Sequence, residues 1–350
     1  MRDTPTLRRM LIPALFVSAL FYFQFNQAPP DKIWRHQGEI MGTTYMIQVV
    51  HKQSIDLQKY HSILEQVNQS MSTYLDTSEL SQLNRSDGSK VIPISAQLRQ
   101  VLHTSLDVSK ASNGAFDVTV GPLVNAWGFG PTHLTKSPSP KIINELRNKI
   151  GYQKISLTDQ GVHKKRSDLY IDLSAIAKGY AVDQVAAALT SDQLTRFWVE
   201  VGGEIRTQGT NADGDPWRVG VEQPNYTGGR SIHKIIPLSN MSIATSGDYR
   251  NQYLDQNGVL RSHTIDPRTG KPIEHNLASV SVLATEAMHA DAWATTLNVL
   301  GPEEGMRVAN ERQLKVIMLV RMSAITQDSP PPKMEERMSD AMRTYLDSYQ

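Results

Sequence analysis

The sequence predicts an α+β fold: a single large domain of mixed, mostly antiparallel sheets with packed helices. Three observations predict it. Strand-like segments come in pairs joined by tight-turn residues, as at Asp159-Gln160-Gly161 and Gly202-Gly203. Helical periodicity occurs in single segments, without the regular strand and helix alternation of a parallel sheet. No Gly-rich turn opens a helix after a strand at the spacing that a doubly wound dinucleotide-binding fold requires.

The first 29 residues stand apart. Arg2, Arg8 and Arg9 precede Met10 to Phe25, an apolar run broken only by Pro13, Ser18 and Gln24. This is a signal peptide or signal anchor, and as a helix it spans about 24 Å at ~1.5 Å per residue. Cleavage after Val17-Ser18-Ala19 leaves Leu20-Phe21-Tyr22-Phe23 as an exposed terminus, so retention as an inner-membrane tether is expected, with the basic end in the cytoplasm and the rest exported. Residues 30–326 are read as the catalytic domain and 327–350 as a C-terminal tail ending in a short helix.

From Trp34 to Val50 the alternation reads as the first strand, with Met41-Gly42-Thr43 at its head. Met41 suits either core packing or the lining of a flat aromatic ligand. Ile55 to Met71 and Ser95 to Ser112 carry helical spacing, and Asp76-Thr77-Ser78-Glu79 opens a short capped helix with Tyr74 on the corner before it. Asn113-Gly114 is a tight turn that delivers Ala115, Phe116 and Asp117 at its exit. Trp127-Gly128-Phe129-Gly130 breaks regular structure and is compatible with loop packing or a pocket mouth. Ser139 caps a helix to Ile150. The strands from Lys154 lead to a β-prone run, Leu169-Tyr170-Ile171, and then to Asp172-Leu173-Ser174-Ala175-Ile176-Ala177-Lys178-Gly179, where a strand hands over to a helix running to Leu189. Unpaired N–H groups at such a junction suit a phosphate or carboxylate, although Asp172 and Ser174 also fit an ordinary helix cap.

Strands follow at Phe197 to Val201, Glu204 to Gly209 and Trp217 to Val221, and the loop Gln223 to Arg230 has the composition of a lid. His263 precedes Ile265-Asp266-Pro267-Arg268-Thr269-Gly270, strong turn chemistry that fixes it near a strand end, in a structural or a catalytic role. Asp291 and Thr295 are four apart on a helix. Their oxygens suit a hard cation such as magnesium or calcium, or simply one another.

Composition closes off several functions. Lys and Arg number 36 against 35 Asp and Glu, so no basic excess invites nucleic acid. There is no cysteine, which excludes thiolate catalysis, Cys-ligated zinc, iron–sulfur clusters, disulfides and a lipid-modified cysteine.

Six motifs taken together resemble the ApbE family of FAD:protein FMN transferases. They are Met41-Gly42-Thr43, Gly114 to Pro122, Asp172 to Gly179, Val201-Gly202-Gly203-Glu204, His263 to Gly270 and Ala290 to Thr295, in that order. The resemblance covers roughly residues 34 to 320 and implies a T-fold-related domain that transfers FMN from FAD to a threonine hydroxyl of a flavin-carrying subunit of a membrane electron-transport complex, releasing AMP. It also implies that Met41, Tyr74, Ala115, Phe116, Asp117, Asp172, Lys178 and Ile265 line the FAD site. By the same resemblance the Ala175 carbonyl, Asp291 and Thr295 hold Mg2+, and Ala294 stands where some members carry an acid. A threonine nucleophile needs a base; His263 is the expected one, with Asp266 as its orienting group. The competing expectations are an FAD pyrophosphatase that gives FMN and AMP, and a non-enzymatic exported FAD-binding protein.

Overall fold

A computed structural model describes residues 31–130, 137–225, 229–247, 252–254, 260–323 and 332–349. The expected N-terminal anchor lies outside the described residues. The domain opens on a hairpin where one strand was expected. Lys32–Ile40 (β1) pairs with Thr43–His51 (β2), and Met41 and Gly42 make the two-residue turn with φ of 53° and 71°. Both angles are positive, as a type I′ turn requires. Period-two alternation runs straight through so short a loop, which is why the sequence reads as one strand.

Five helices follow: His61–Met71 (α1), Glu79–Arg85 (α2), Ala96–Ala111 (α3), Gly121–Ala126 (α4) and Pro140–Lys149 (α5). Ser78, Ser95 and Ser139 cap three of them, each hydroxyl accepting the N–H three residues on. Each such cap contributes about 1 kcal/mol. Ile155–Thr158 (β3) and Gly161–Lys164 (β4) form the expected hairpin. Leu169 to Ile171 is not a strand, because its partner is a side chain. The Asn84 carboxamide accepts the Ile171 N–H and donates to the Ile171 carbonyl, both at 2.8 Å, imitating one rung of a sheet.

The chain continues through Ala177–Ser191 (α6), Phe197–Val201 (β5), Glu204–Gln208 (β6), Trp217–Glu222 (β7), Ile232–Leu238 (β8) and Ser242–Gly247 (β9). Two short ribbons come next, Gln252–Leu254 (β10) with Leu260–Ser262 (β11) and Ile265–Asp266 (β12) with Lys271–Pro272 (β13). Leu277–Ala284 (β14), Ala287–Glu311 (α7), Lys315–Arg321 (β15), Met334–Met338 (β16) and Asp340–Asp347 (α8) complete it. Helix α7 is kinked at Gly301, whose φ of 79° is followed by Pro302.

The main sheet has the order β1-β2-β5-β6-β9-β14-β15-β16, and every strand pairing among the described residues is antiparallel. One face packs on α6 and α7 through residues such as Val280, Val282, Val316 and Met318. The other packs Ile205, Ile243, Leu283 and Ile317 against the β7–β8 ribbon and Met342 of α8. Both faces of β14 are buried, so its Ser279-Val280-Ser281-Val282 alternation does not separate a solvent face from a core face.

Of the segment expected to be a tail, 327–350, the described residues 332–349 belong to the domain. Its Met334–Met338 strand pairs with β15, and Ser339, wholly buried, caps α8 while accepting the Val316 N–H. Its charges are partly internal to the fold: Glu336 is half-buried and binds His233 and Lys234. A third cluster, Leu123, Trp127, Ile143, Ile150 and Ile265, ties α4 and α5 to the turn after β12, with Trp127 Nε1 donating to the Gly270 carbonyl at 2.9 Å.

Candidate active site

The two motif stretches furthest apart in importance meet at one glycine. A Cβ on Gly179 would lie 2.4 Å from the Ala287 carbonyl oxygen and 2.8 Å from Met288 Cα. Only glycine lets the start of α6 approach the first turn of α7 this closely. One turn further on, Asp183 accepts the N–H groups of Ala287 and Met288, each at 2.9 Å, placing a carboxylate at the positive end of α7. Burial nonetheless raises the Asp183 pKa, against the pull of those N–H groups and of Arg206. The clamp sets Asp291 so that its Oδ2 accepts the Gly179 N–H at 3.1 Å.

This junction forms the wall of a cavity of about 1030 Å³. Its lining includes Tyr74, Ala115, Phe116, Asp117, Asp172, Ala175, Lys178, His263, Ile265, Asp291 and Thr295. The space is ample for a dinucleotide. Tyr74 is 71% exposed and stands at the rim, whereas Ala115 and Phe116 are buried in the wall. The Trp127 to Gly130 loop serves both roles open to it: Trp127 packs in the third cluster, while Gly128, Phe129 and Gly130 line the cavity and the Phe129 ring meets His263 edge-on at 6.3 Å.

Two expected residues are not in the wall. Met41 sits in the β1–β2 turn and packs against the core, leaving Thr44 to face the cavity. Asp266 is committed to its own turn. Its carboxylate accepts the Arg268 backbone N–H at 2.8 Å and both Nε and Nη2 of the Arg268 guanidinium at 3.0 Å, so it serves the Asp-Pro-Arg-Thr-Gly turn instead of orienting His263.

Charge is concentrated at the inner end. Lys178 Nζ lies 3.1 Å from Glu204 Oε1 and 3.8 Å from Asp291 Oδ2. Burial pushes both carboxyl groups up, and Lys178 opposes the rise in each. Burial also works against the ammonium, yet the two carboxylates outweigh it and hold Lys178 firmly charged. Asp117 is buried too. Burial raises its pKa in spite of hydrogen bonds from Thr119 N–H (2.8 Å), Thr119 Oγ1 (2.6 Å) and Tyr152 N–H (2.9 Å). Asp172 accepts the Ser174 N–H at 2.8 Å and its hydroxyl at 2.5 Å, so the Asx turn at the helix entrance is real as well as cavity-lining.

The donor set is all oxygen. Asp291 and Thr295 lie one helical turn apart on the wall, Ala175 lines the same space, and Ser246 Oγ stands 3.2 Å from Thr295 Oγ1. Among the described residues no group of three or more His, Cys, Asp and Glu side chains is arranged to hold a metal. The set therefore fits a hard cation that takes few protein ligands and keeps water and phosphate oxygens for the rest.

A model of the ApbE family matches residues 41–318. The chain belongs to the ApbE family. It is 42% identical over 302 residues to the FAD:protein FMN transferase of Haemophilus influenzae, spanning 83% of this chain and 87% of the relative. It is 43% identical over 290 residues to the protein of the same name from Vibrio cholerae, spanning 81% and 86%. A solved structure of the flavin transferase ApbE from Vibrio cholerae superimposes with a TM-score of 0.80 at 39% identity, covering 91% of this chain and 100% of that one.

Within this ApbE-family site several residues had no assigned role in the sequence. Glu204 closes the Val201-Gly202-Gly203-Glu204 motif, and an acid at an inward position of a short strand after Gly-Gly is a signal in itself. Tyr170 and Glu200 also line the cavity, the latter accepting the Gly203 N–H at 2.7 Å. Glu222 and Arg230, at the two ends of the expected lid, face it too, while 226–228 lie outside the described residues.

Proposed function

We propose that this chain transfers the FMN half of FAD to a threonine hydroxyl of an acceptor protein, releasing AMP, with magnesium as the divalent cation. The carrying observation is the Gly179–Asp291 contact, which joins the 172–179 stretch and the 287–295 helix at one cavity of dinucleotide size. The names of the curated relatives support the same reading.

In this reading the threonine oxygen attacks the FMN phosphorus, the bond from that phosphorus to the bridging oxygen breaks, and AMP leaves with the electron pair. Asp291, Thr295 and the Ala175 carbonyl would hold the magnesium, which would supply charge neutralisation at the diphosphate. Lys178 adds a fixed positive charge beside the phosphates. His263, at the rim with Phe129 against its ring, takes the threonine proton. Tyr74, Phe116 and Ile265 offer flat and apolar surface to the flavin, and Asp117 and Asp172 offer acceptors to its polar groups. The acceptor is a flavin-carrying subunit of a membrane electron-transport complex.

The same proposal places the domain in the periplasm, tethered to the inner membrane by residues 1–29. Its support is the Arg2, Arg8, Arg9 and apolar-run pattern; no described helix is long and apolar enough to cross a membrane. The test mixes the chain from Asp31 onward with FAD, magnesium and an acceptor subunit, and follows AMP. Acceptor-dependent AMP release with in-gel flavin fluorescence of the acceptor is expected. AMP formed equally well without acceptor would point to a pyrophosphatase, and no AMP at all to a flavin-binding protein.

A further inference from the structure

We propose that Glu204 is the counter-ion that draws Lys178 off Asp291 and so keeps Asp291 available to a divalent cation. The inference rests on the reading of Asp291 as a cation ligand. Three elements supply the three charges: Glu204 opens β6, Lys178 lies in the first turn of α6 and Asp291 in the first turns of α7. The ammonium pairs with Glu204 at 3.1 Å and stands farther from Asp291, at 3.8 Å.

Glu204 is 4% exposed and Asp291 3%, so water screens neither. In such a setting the position of one ammonium decides which carboxylate it neutralises. Two carboxylates against one lysine leave this end of the cavity with an excess of acid. The excess falls on Asp291, because Glu204 holds the lysine. Glu204 Oε2, moreover, is buried with no hydrogen-bond partner. A carboxylate so poorly served by its surroundings contributes through its charge on Lys178 and not through a local network. Remove that charge and the ammonium has one carboxylate left to pair with, Asp291, from which a cation must then displace it. Glu204 is thus a positioning residue that acts through Lys178.

The test measures Mn2+ binding by electron paramagnetic resonance, with no FAD and no acceptor present. E204Q should weaken Mn2+ binding by at least about tenfold (~1.4 kcal/mol), the low end for close charge pairs. E204D, which keeps the charge, should stay within about threefold of wild type by the same arithmetic. The double variant K178M/E204Q should recover the affinity, since no ammonium remains to compete. Equal affinity of wild type and E204Q would overturn the proposal. So would a loss that persists in K178M/E204Q, which would make Glu204 a direct ligand. Should E204Q fail to fold, K178M alone decides: it should bind Mn2+ at least as tightly as wild type, and weaker binding sinks the idea. A wild-type protein that binds no Mn2+ would instead refute the reading of Asp291 itself.

Discussion

Gly179→Ala is the smallest change that strikes the junction on which the site depends. The added methyl would sit 2.4 Å from the Ala287 oxygen, 2.6 Å from its carbonyl carbon and 2.8 Å from Met288 Cα. A comfortable contact needs about 3.5 Å, so α6 and α7 must part by about 1 Å. The atoms in the way are backbone, and Asp183 already pins both of their N–H groups, so no side chain can turn aside. Overpacking of this kind costs about 1–3 kcal/mol of stability. The functional cost should be larger in proportion. The Gly179 N–H holds Asp291 at 3.1 Å, and a misplacement of about 1 Å at a reacting centre can cost ~10²-fold in rate. Urea unfolding gives the first quantity and the rate of flavin transfer, measured well below the unfolding midpoint, gives the second. A G179A protein with wild-type stability and wild-type transfer would refute the claim that this contact builds the site.

Further outcomes follow from individual side chains. His263→Ala should lower transfer by about 10²–10⁴-fold, the usual worth of a positioned base, while FAD binding followed by flavin fluorescence persists; undiminished transfer would remove His263 from the chemistry. Asp117 has a folded pKa raised by burial above its unfolded value near 3.9. Its contribution to stability is therefore fully present below that value and is lost as pH rises through the raised folded value. Asp117→Asn removes the titration, so the stability of wild type relative to D117N should fall between acid and neutral pH in urea titrations. A difference independent of pH would contradict the assignment of burial as the dominant cause.

Local chemistry made much of the fold legible. Ser78, Ser95 and Ser139 mark helix starts because a hydroxyl satisfies an otherwise unpaired N–H, and all three do so. The Asp159-Gln160 and Gly202-Gly203 turns join the strands that their flanking residues indicated. What pattern could not supply was pairing at a distance. The neighbours of β14 in the sheet are β9 and β15, and the Ser-Val alternation of 279–282 names neither, since both faces of the strand are buried. Leu169 to Ile171 looks like a strand because its residues are β-prone, but the partner of Ile171 is the Asn84 side chain, which no periodicity registers.

The site divides in the same way. Asp172, Lys178, Asp291 and Thr295 were readable as motifs, and Gly179 explains why two of those motifs must touch. Met41 and Asp266 lie off the cavity wall because both satisfy a turn locally. A turn residue and a ligand residue look alike in sequence. Glu204 was passed over because its meaning depends on Lys178 and Asp291, which reach it only through the tertiary fold.

The most direct measurement is the intact mass of an acceptor subunit after incubation with this protein, FAD and magnesium. Flavin transfer requires a gain equal to FMN less one water on a single threonine, matched mole for mole by AMP and lost when that threonine is replaced by alanine. An acceptor of unchanged mass beside free FMN and AMP would contradict it.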